Sequence, residues 1–232
     1  MQRSVKIALA AVVVVIVAGA AGFWYFVLRD TSDPVASLDA LEAGESSSGT
    51  DAPIADPDGN WTAVTGENIF AGYRIQELFG GETLKKTATG RTPAVDGTIT
   101  VQGNQITAVD ITADLQQLVS DQSRRDNSQK DGGLQTNMFP TATFTLTEPI
   151  TLPSPPSEGT TADVQAVGEL TLHGVTRPVT IPLQTSLTNG RINVAGGAPV
   201  VLSDFQIEAP DTPFVSVDDN GSFEVQLAFV KS

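Results

Sequence analysis

The sequence predicts an all-β domain of about eight antiparallel strands with one short helical excursion, preceded by one N-terminal transmembrane helix. Three observations predict it. An unbroken apolar run lies near the N-terminus, hydrophobicity alternates with period two from Trp61 onward, and turn residues punctuate the alternating stretches.

The apolar run, residues 7–28, reads IALAAVVVVIVAGAAGFWYFVL. Its roughly 22 residues at 1.5 Å rise come to about 33 Å, matching the hydrocarbon core of a bilayer. Arg3 and Lys6 precede it, and after Arg29 the chain turns acidic with Asp30, Asp33, Asp39, Glu42 and Glu45. The positive-inside rule therefore puts residues 1–6 in the cytoplasm and the rest of the chain across the cell membrane, as a single-pass protein with an extracytoplasmic domain. Phe23, Trp24, Tyr25 and Phe26 fall where an interfacial aromatic belt sits. A cleaved signal peptide is the competing reading, with Ala18-Gly19-Ala20 as the small-residue site. Against it, FWYFVL follows directly and the run is longer than a usual signal-peptide core. Residues 29–59 are rich in Ser, Gly, Pro, Asp and Ala with no basic residue after Arg29, which predicts a disordered acidic linker.

Residues 60–232 carry the strand signal. Phe223, Val225, Leu227 and Phe229 alternate with Glu224, Gln226 and Ala228; Val164, Ala166, Gly168, Leu170 and Leu172 do the same, as do Val95, Gly97, Ile99 and Val101. Weaker alternation marks Tyr73 and Ile75, Val109 and Ile111, Phe144 and Leu146, Ile192 and Val194, and Val200 and Leu202. Gly103-Asn104, Asn189-Gly190, Gly196-Gly197 and Asn220-Gly221 are expected turns, and residues 149–159, with four prolines, an expected loop. Residues 112–130 break the rhythm: Leu115, Leu118 and Val119 are at helical spacing, with Thr112 as cap and Gly132-Gly133 as the stop. Many short strands and few helices mean a barrel or a sandwich.

Composition narrows the chemistry. A net charge of -14 repels a phosphate backbone, so nucleic acid is not an expected partner. Cysteine is absent, which removes disulfides, thiolate metal sites and a cysteine nucleophile. His173 is the one histidine, too few for a zinc site, and in Leu172-His173-Gly174-Val175 it reads as a turn residue. Asp218-Asp219-Asn220-Gly221 lacks the length of a calcium loop and reads as a hairpin corner. No nucleophile elbow, phosphate loop, dinucleotide fingerprint or zinc-protease motif is present, so the chain is not expected to be an enzyme.

Several stretches together resemble the bacterial YceI-like family: GELTLHGVTRPVTIPL (168–183), NMFPTATFTL (137–146), GYRIQELFG (72–80), VVLSDFQIEAP, the closing SFEVQLAFV, and Arg125-Asp126 followed by Leu134 and Phe139-Pro140. The resemblance implies a lipocalin-like, eight-stranded antiparallel barrel that binds a long polyisoprenoid chain in its interior, without catalysis. The sequence departs from commoner members in its anchor, its acidic linker and Lys130-Asp131-Gly132-Gly133, where many relatives are more apolar and basic.

Periodicity alone fits a packed core as well as a cavity. The resemblance makes Ile75, Ile99, Phe144, Leu170, Leu172, Phe223, Val225, Leu227 and Phe229 the candidate cavity lining. Arg124 and Arg125, beside Asp126, are head-group candidates at the barrel mouth, the plainer reading being a solvated helix end. The expected partners are an isoprenoid or other long-chain lipid and the membrane that holds the single-span anchor. An edge strand or the anchor leaves room for a homodimer. No cofactor is implied beyond a bound isoprenoid lipid. The competing function is a filled barrel acting as a structural or interaction module of the cell envelope; an enzyme using Arg125, Asp126 or His173 on a lipid-linked substrate ranks behind it.

Overall fold

The computed structural model describes residues 32–45 and 54–232. The expected cytoplasmic segment and transmembrane helix lie outside the described residues; among these, no helix is long and apolar enough to cross a membrane. Ser32–Ser232 form one compact unit.

Twelve strands join in one antiparallel sheet. They are β1 (Gly59–Val64), β2 (Phe70–Phe79), β3 (Lys86–Thr92), β4 (Val95–Gln102), β5 (Gln105–Asp114), β6 (Val119–Ser120), β7 (Thr141–Leu146), β8 (Ile150–Thr151), β9 (Thr160–Leu172), β10 (Val175–Thr188), β11 (Arg191–Val201) and β12 (Val215–Lys231). The long β12 takes two partners on one side. Its C-terminal end pairs with β1, Trp61 opposite Lys231, and its N-terminal part pairs with β2, Phe79 opposite Val215. β1 and β2 are thus one interrupted stave. β3 and β4 make the next, β3 pairing with β2 and β4 with β1. From β4 the ring runs through β5, β7, β9, β10, β11 and β12 and closes on β1, an eight-staved barrel in simple up-and-down order.

Alternation explains why each stave is amphipathic: one face of the pleat turns in, the other out. At one end the inward residues fill the barrel. Trp61, Val101, Ile106, Leu152, Leu187 and Ile192 pack there, and the void that the last five line is only about 60 Å³. This is the floor. At the opposite end lie the β9–β10 turn, the Phe79–Lys86 hairpin connection and the residues linking β5 to β7.

Three turn signals act as expected or better. Gly103-Asn104 and Asn189-Gly190 join adjacent strands, and His173-Gly174 is a two-residue hairpin turn with both φ positive, 52° and 72°, between Leu172 and Val175. Two others do not turn the chain. Gly196-Gly197 lies inside β11, where a Cβ would come within 2.4 Å of Pro182 O and 2.2 Å of Phe223 O; the pair lets three strands approach closely. Asn220-Gly221 sits inside β12 at a register shift between Val217 and Gly221, a bulge rather than a hairpin corner. Its acidic residues are engaged sideways, Asp218 with Lys85 at 2.7 Å and Asp219 with Ser203 N and Oγ at 2.9 and 2.7 Å.

The helical excursion starts later than expected. Thr112 belongs to β5; Leu115–Gln117 form a single 3₁₀ turn capped by Asp114, and Val119–Ser120 pair with β3. Helix α2 is Ser123–Asp131, ending at Gly132. Leu115 and Leu118 satisfy helical spacing, but the ladder to β4 and β7 holds the backbone extended through Asp114.

The acidic linker needs a correction too. Residues 32–45 lie on the outer wall of the barrel and contain helix α1 (Leu38–Glu45), with Ser37 Oγ accepting from Ala40 N at its start. Leu41 is fully buried. The physical cause is on β12: Glu224 and Gln226 face outward, yet are only 3% and 2% exposed, because this strap covers them. Ala36 N and Ser37 N donate to them at 3.3 and 2.9 Å. Arg91 pairs with Glu224 at 2.8 Å and also donates to Pro34 O, while Arg74 donates to Asp33 O at 2.7 Å. Ser186 Oγ holds Glu42 at 2.8 Å. Residues 46–53, also inside the expected linker, lie outside the described residues.

Truncating Leu41 to Ala should cost about 2–3 kcal/mol. Urea unfolding in a Trp24→Phe background, where Trp61 is the one tryptophan, checks this, and an unchanged midpoint would mean that the strap contributes nothing to the fold.

Candidate ligand cavity

Above the floor the barrel is hollow. The cavity measures about 700 Å³, within the range of small-molecule sites. Its walls come from the inward residues of the staves, and α2 with the residues following it lies along one side. All nine apolar residues expected on the inner face are there: Ile75, Ile99, Phe144, Leu170, Leu172, Phe223, Val225, Leu227 and Phe229. Gly168 opposes Leu146, and the Phe144 ring occupies the space its missing side chain leaves; a Cβ would lie 2.5 Å from that ring. The cavity's width is therefore set partly by where side chains are absent. Leu118, Leu134 and Phe214 line its outer part, and Phe214 is 81% exposed.

Arg124 and Arg125 also line the cavity, but they differ. Both stand in the first turn of α2 rather than at its C-terminal end. Arg124 is exposed. Arg125 is committed: Nε and Nη2 donate to the two Glu77 carboxylate oxygens at 2.9 and 2.6 Å, and Nη1 pairs with Asp121. Burial opposes its charge, but the two carboxylates outweigh burial and hold the guanidinium above its ordinary pKa. Asp126 accepts from Ser120 N and Oγ, tying α2 to β6. Arg125 is thus a bidentate brace between α2 and the β2 stave.

The polar wall includes two groups to which the sequence alone assigns no role at the site. Glu77 and Tyr73 are on the inward parity of β2, with Ile75 between them. Gln129, one turn beyond Arg125, donates through Nε2 to the Tyr73 hydroxyl. A carboxylate at an inward position of an alternating strand was the available signal for Glu77. Burial, chiefly, pushes the Tyr73 phenol up to about 12, against the opposing pull of its Gln129 hydrogen bond and the Arg125 charge.

His173 takes no part in the cavity wall. It is buried in its turn, with Nδ1 3.2 Å from Phe205 O and its ring centroid 4.2 Å from that of Phe139. Among the described residues no group of three or more His, Asp or Glu side chains could hold a metal ion.

A closed antiparallel meander with a packed floor and an apolar interior is a lipocalin-like barrel. The YceI-like domain model matches residues 65–229, and the chain belongs to that family. Two solved structures share the fold. A polyisoprenoid binding domain from Saccharophagus degradans, implicated in plant cell wall breakdown, is 15% identical with a TM-score of 0.56, covering 74% of this chain and 98% of its own. Burkholderia cenocepacia BcnA is 15% identical with a TM-score of 0.52, covering 67% of this chain and 95% of its own. Comparison with curated proteins gives no match.

Two outcomes follow from the polar wall. Glu77→Ala leaves a buried guanidinium with half its partners and should cost roughly 3 kcal/mol in denaturant unfolding. In a Tyr25→Phe variant, which leaves Tyr73 as the one tyrosine, phenolate absorbance should rise near pH 12 rather than near 10. The folded phenol binds its proton more tightly than the unfolded one. Its stabilising contribution is therefore complete below about pH 10 and lost as pH rises from 10 to 12.

Proposed function

We propose that this protein is a non-enzymatic binder of a polyisoprenoid or similarly long apolar lipid, which it sequesters or carries in the barrel interior on the outer side of the cytoplasmic membrane. The observation that carries the reading is the cavity: about 700 Å³ of space walled almost wholly by apolar side chains above a packed floor. Such a site binds by area, at about 0.8 kcal/mol per buried CH₂ before ordering costs, and needs no array of precise polar contacts along the chain. Membership of the YceI-like family and the polyisoprenoid-binding description of one structural relative support it. The apolar run at 7–28 supports a membrane anchor that keeps the barrel near its lipid source. The filled-barrel alternative is less well supported, since the interior space is of ligand size.

Mass spectrometry of an organic extract of the full chain, purified from its native host, should reveal one long-chain lipid in near-stoichiometric amount. A Leu170→Arg variant, which puts a charge in the apolar wall, should yield an extract depleted at least tenfold. An empty extract from the wild-type chain, also after incubation with native membranes, would reject the carrier reading.

A further inference from the structure

The cavity is mostly apolar, and the polar groups on the wall beneath α2 divide into two kinds. Among the charged ones Arg125 is engaged with both Glu77 and Asp121, one guanidinium against two carboxylates, so the cluster is net negative. The neutral ones are not fully engaged among the described residues. Gln129 gives its Nε2 proton to the Tyr73 oxygen, which leaves the phenol proton uncommitted among the described residues. Gln129 Oε1 is buried and, among the described residues, has no hydrogen-bond partner. Both side chains line the cavity. A spare O–H donor therefore lies beside a spare amide acceptor on a ligand-facing wall, next to excess negative charge.

We infer that Tyr73 and Gln129 form the head-group site and select a neutral, hydroxyl-bearing ligand, an isoprenoid alcohol or phenol, over the corresponding phosphate; the inference rests on the lipid-binding reading above. A hydroxyl is both acceptor and donor, so one such group accepts from Tyr73 and donates to Gln129 Oε1. A buried amide oxygen without a partner is costly, and the hydroxyl removes that cost. A carbonyl head group satisfies Tyr73 alone. A phosphate brings its charge beside Glu77 and Asp121, where apolar walls screen poorly and the one nearby guanidinium is already shared between them. Of the other two guanidiniums in the cavity lining, Arg74 is engaged with Glu224 and Asp33 O, and Arg124 is weakened as a countercharge by its water-facing position.

The test uses the full chain in phosphatidylcholine nanodiscs with three probes at equal concentration: geranylgeraniol, geranylgeranyl monophosphate and the parent hydrocarbon. Native mass spectrometry reads the ratio of bound species, and comparing variants with wild type cancels partitioning into the bilayer. Tyr73→Phe and Gln129→Leu should each lower the alcohol-to-hydrocarbon ratio about three- to tenfold while hydrocarbon occupancy holds, which also reports that the barrel is folded. Glu77→Gln should raise the monophosphate-to-alcohol ratio. If wild type prefers the monophosphate, or neither Tyr73→Phe nor Gln129→Leu moves the alcohol ratio, the head-group assignment is wrong while the cavity reading stands. If no probe binds wild type, hydrocarbon included, the lipid-binding reading itself fails and the assignment with it.

Discussion

The hydrogen bonds that join β12 to β1 and β2 connect the two ends of the domain, and without them the sheet has two raw edges and no interior. Every other feature presupposes that closure. The floor packs because Trp61 and Phe229 are brought into one layer from opposite ends of the sequence. The cavity exists because the ring has eight staves, wide enough to leave room that inward side chains do not fill. Closure also has a kinetic side: the last strand must be available before the first can be satisfied, so the fold is dominated by contacts distant in sequence.

Inside and outside are then managed by different means. Inside, Arg125 is held by Glu77 and Asp121, which fixes α2 against β2. The outward face of β12 carries Glu224 and Gln226, and there the protein supplies cover from its own N-terminal side, with backbone amides and two arginines as partners. In both places a buried carboxylate is met by a guanidinium and further hydrogen bonds, as burial of charge requires. The neutral Tyr73–Gln129 pair differs, since its valences are not all used within the described residues.

Most of the wall was legible because a strand records its faces in its own sequence. Parity alone puts Phe223, Val225, Leu227 and Phe229 on one side of β12, and the structure has all four on the cavity. What parity does not record is the partner across space. Glu77 and Arg125 are 48 positions apart, and each looks unremarkable where it stands. Gly196-Gly197 and Asn220-Gly221 carry the composition of turns, but the β11–β12 ladder runs unbroken through both, and tertiary pairing overrides the local signal. The strap was missed for the opposite reason: acidic and small residues suggest solvation, whereas Ser37 as a cap with Leu38 and Leu41 three apart was a weak helical signal over a buried polar patch not visible in sequence.

The family match begins at residue 65, yet the compact unit begins at Ser32. The segment that matches the family is therefore smaller than the unit that folds. A barrel excised at the family boundary, or grafted behind another leader, would lose its β1 stave and bare Glu224 and Gln226 to water along with the guanidiniums that answer them. In this chain the barrel and the sequence just ahead of it are not independent modules, and rearrangement that treats them as interchangeable parts breaks a surface both of them own.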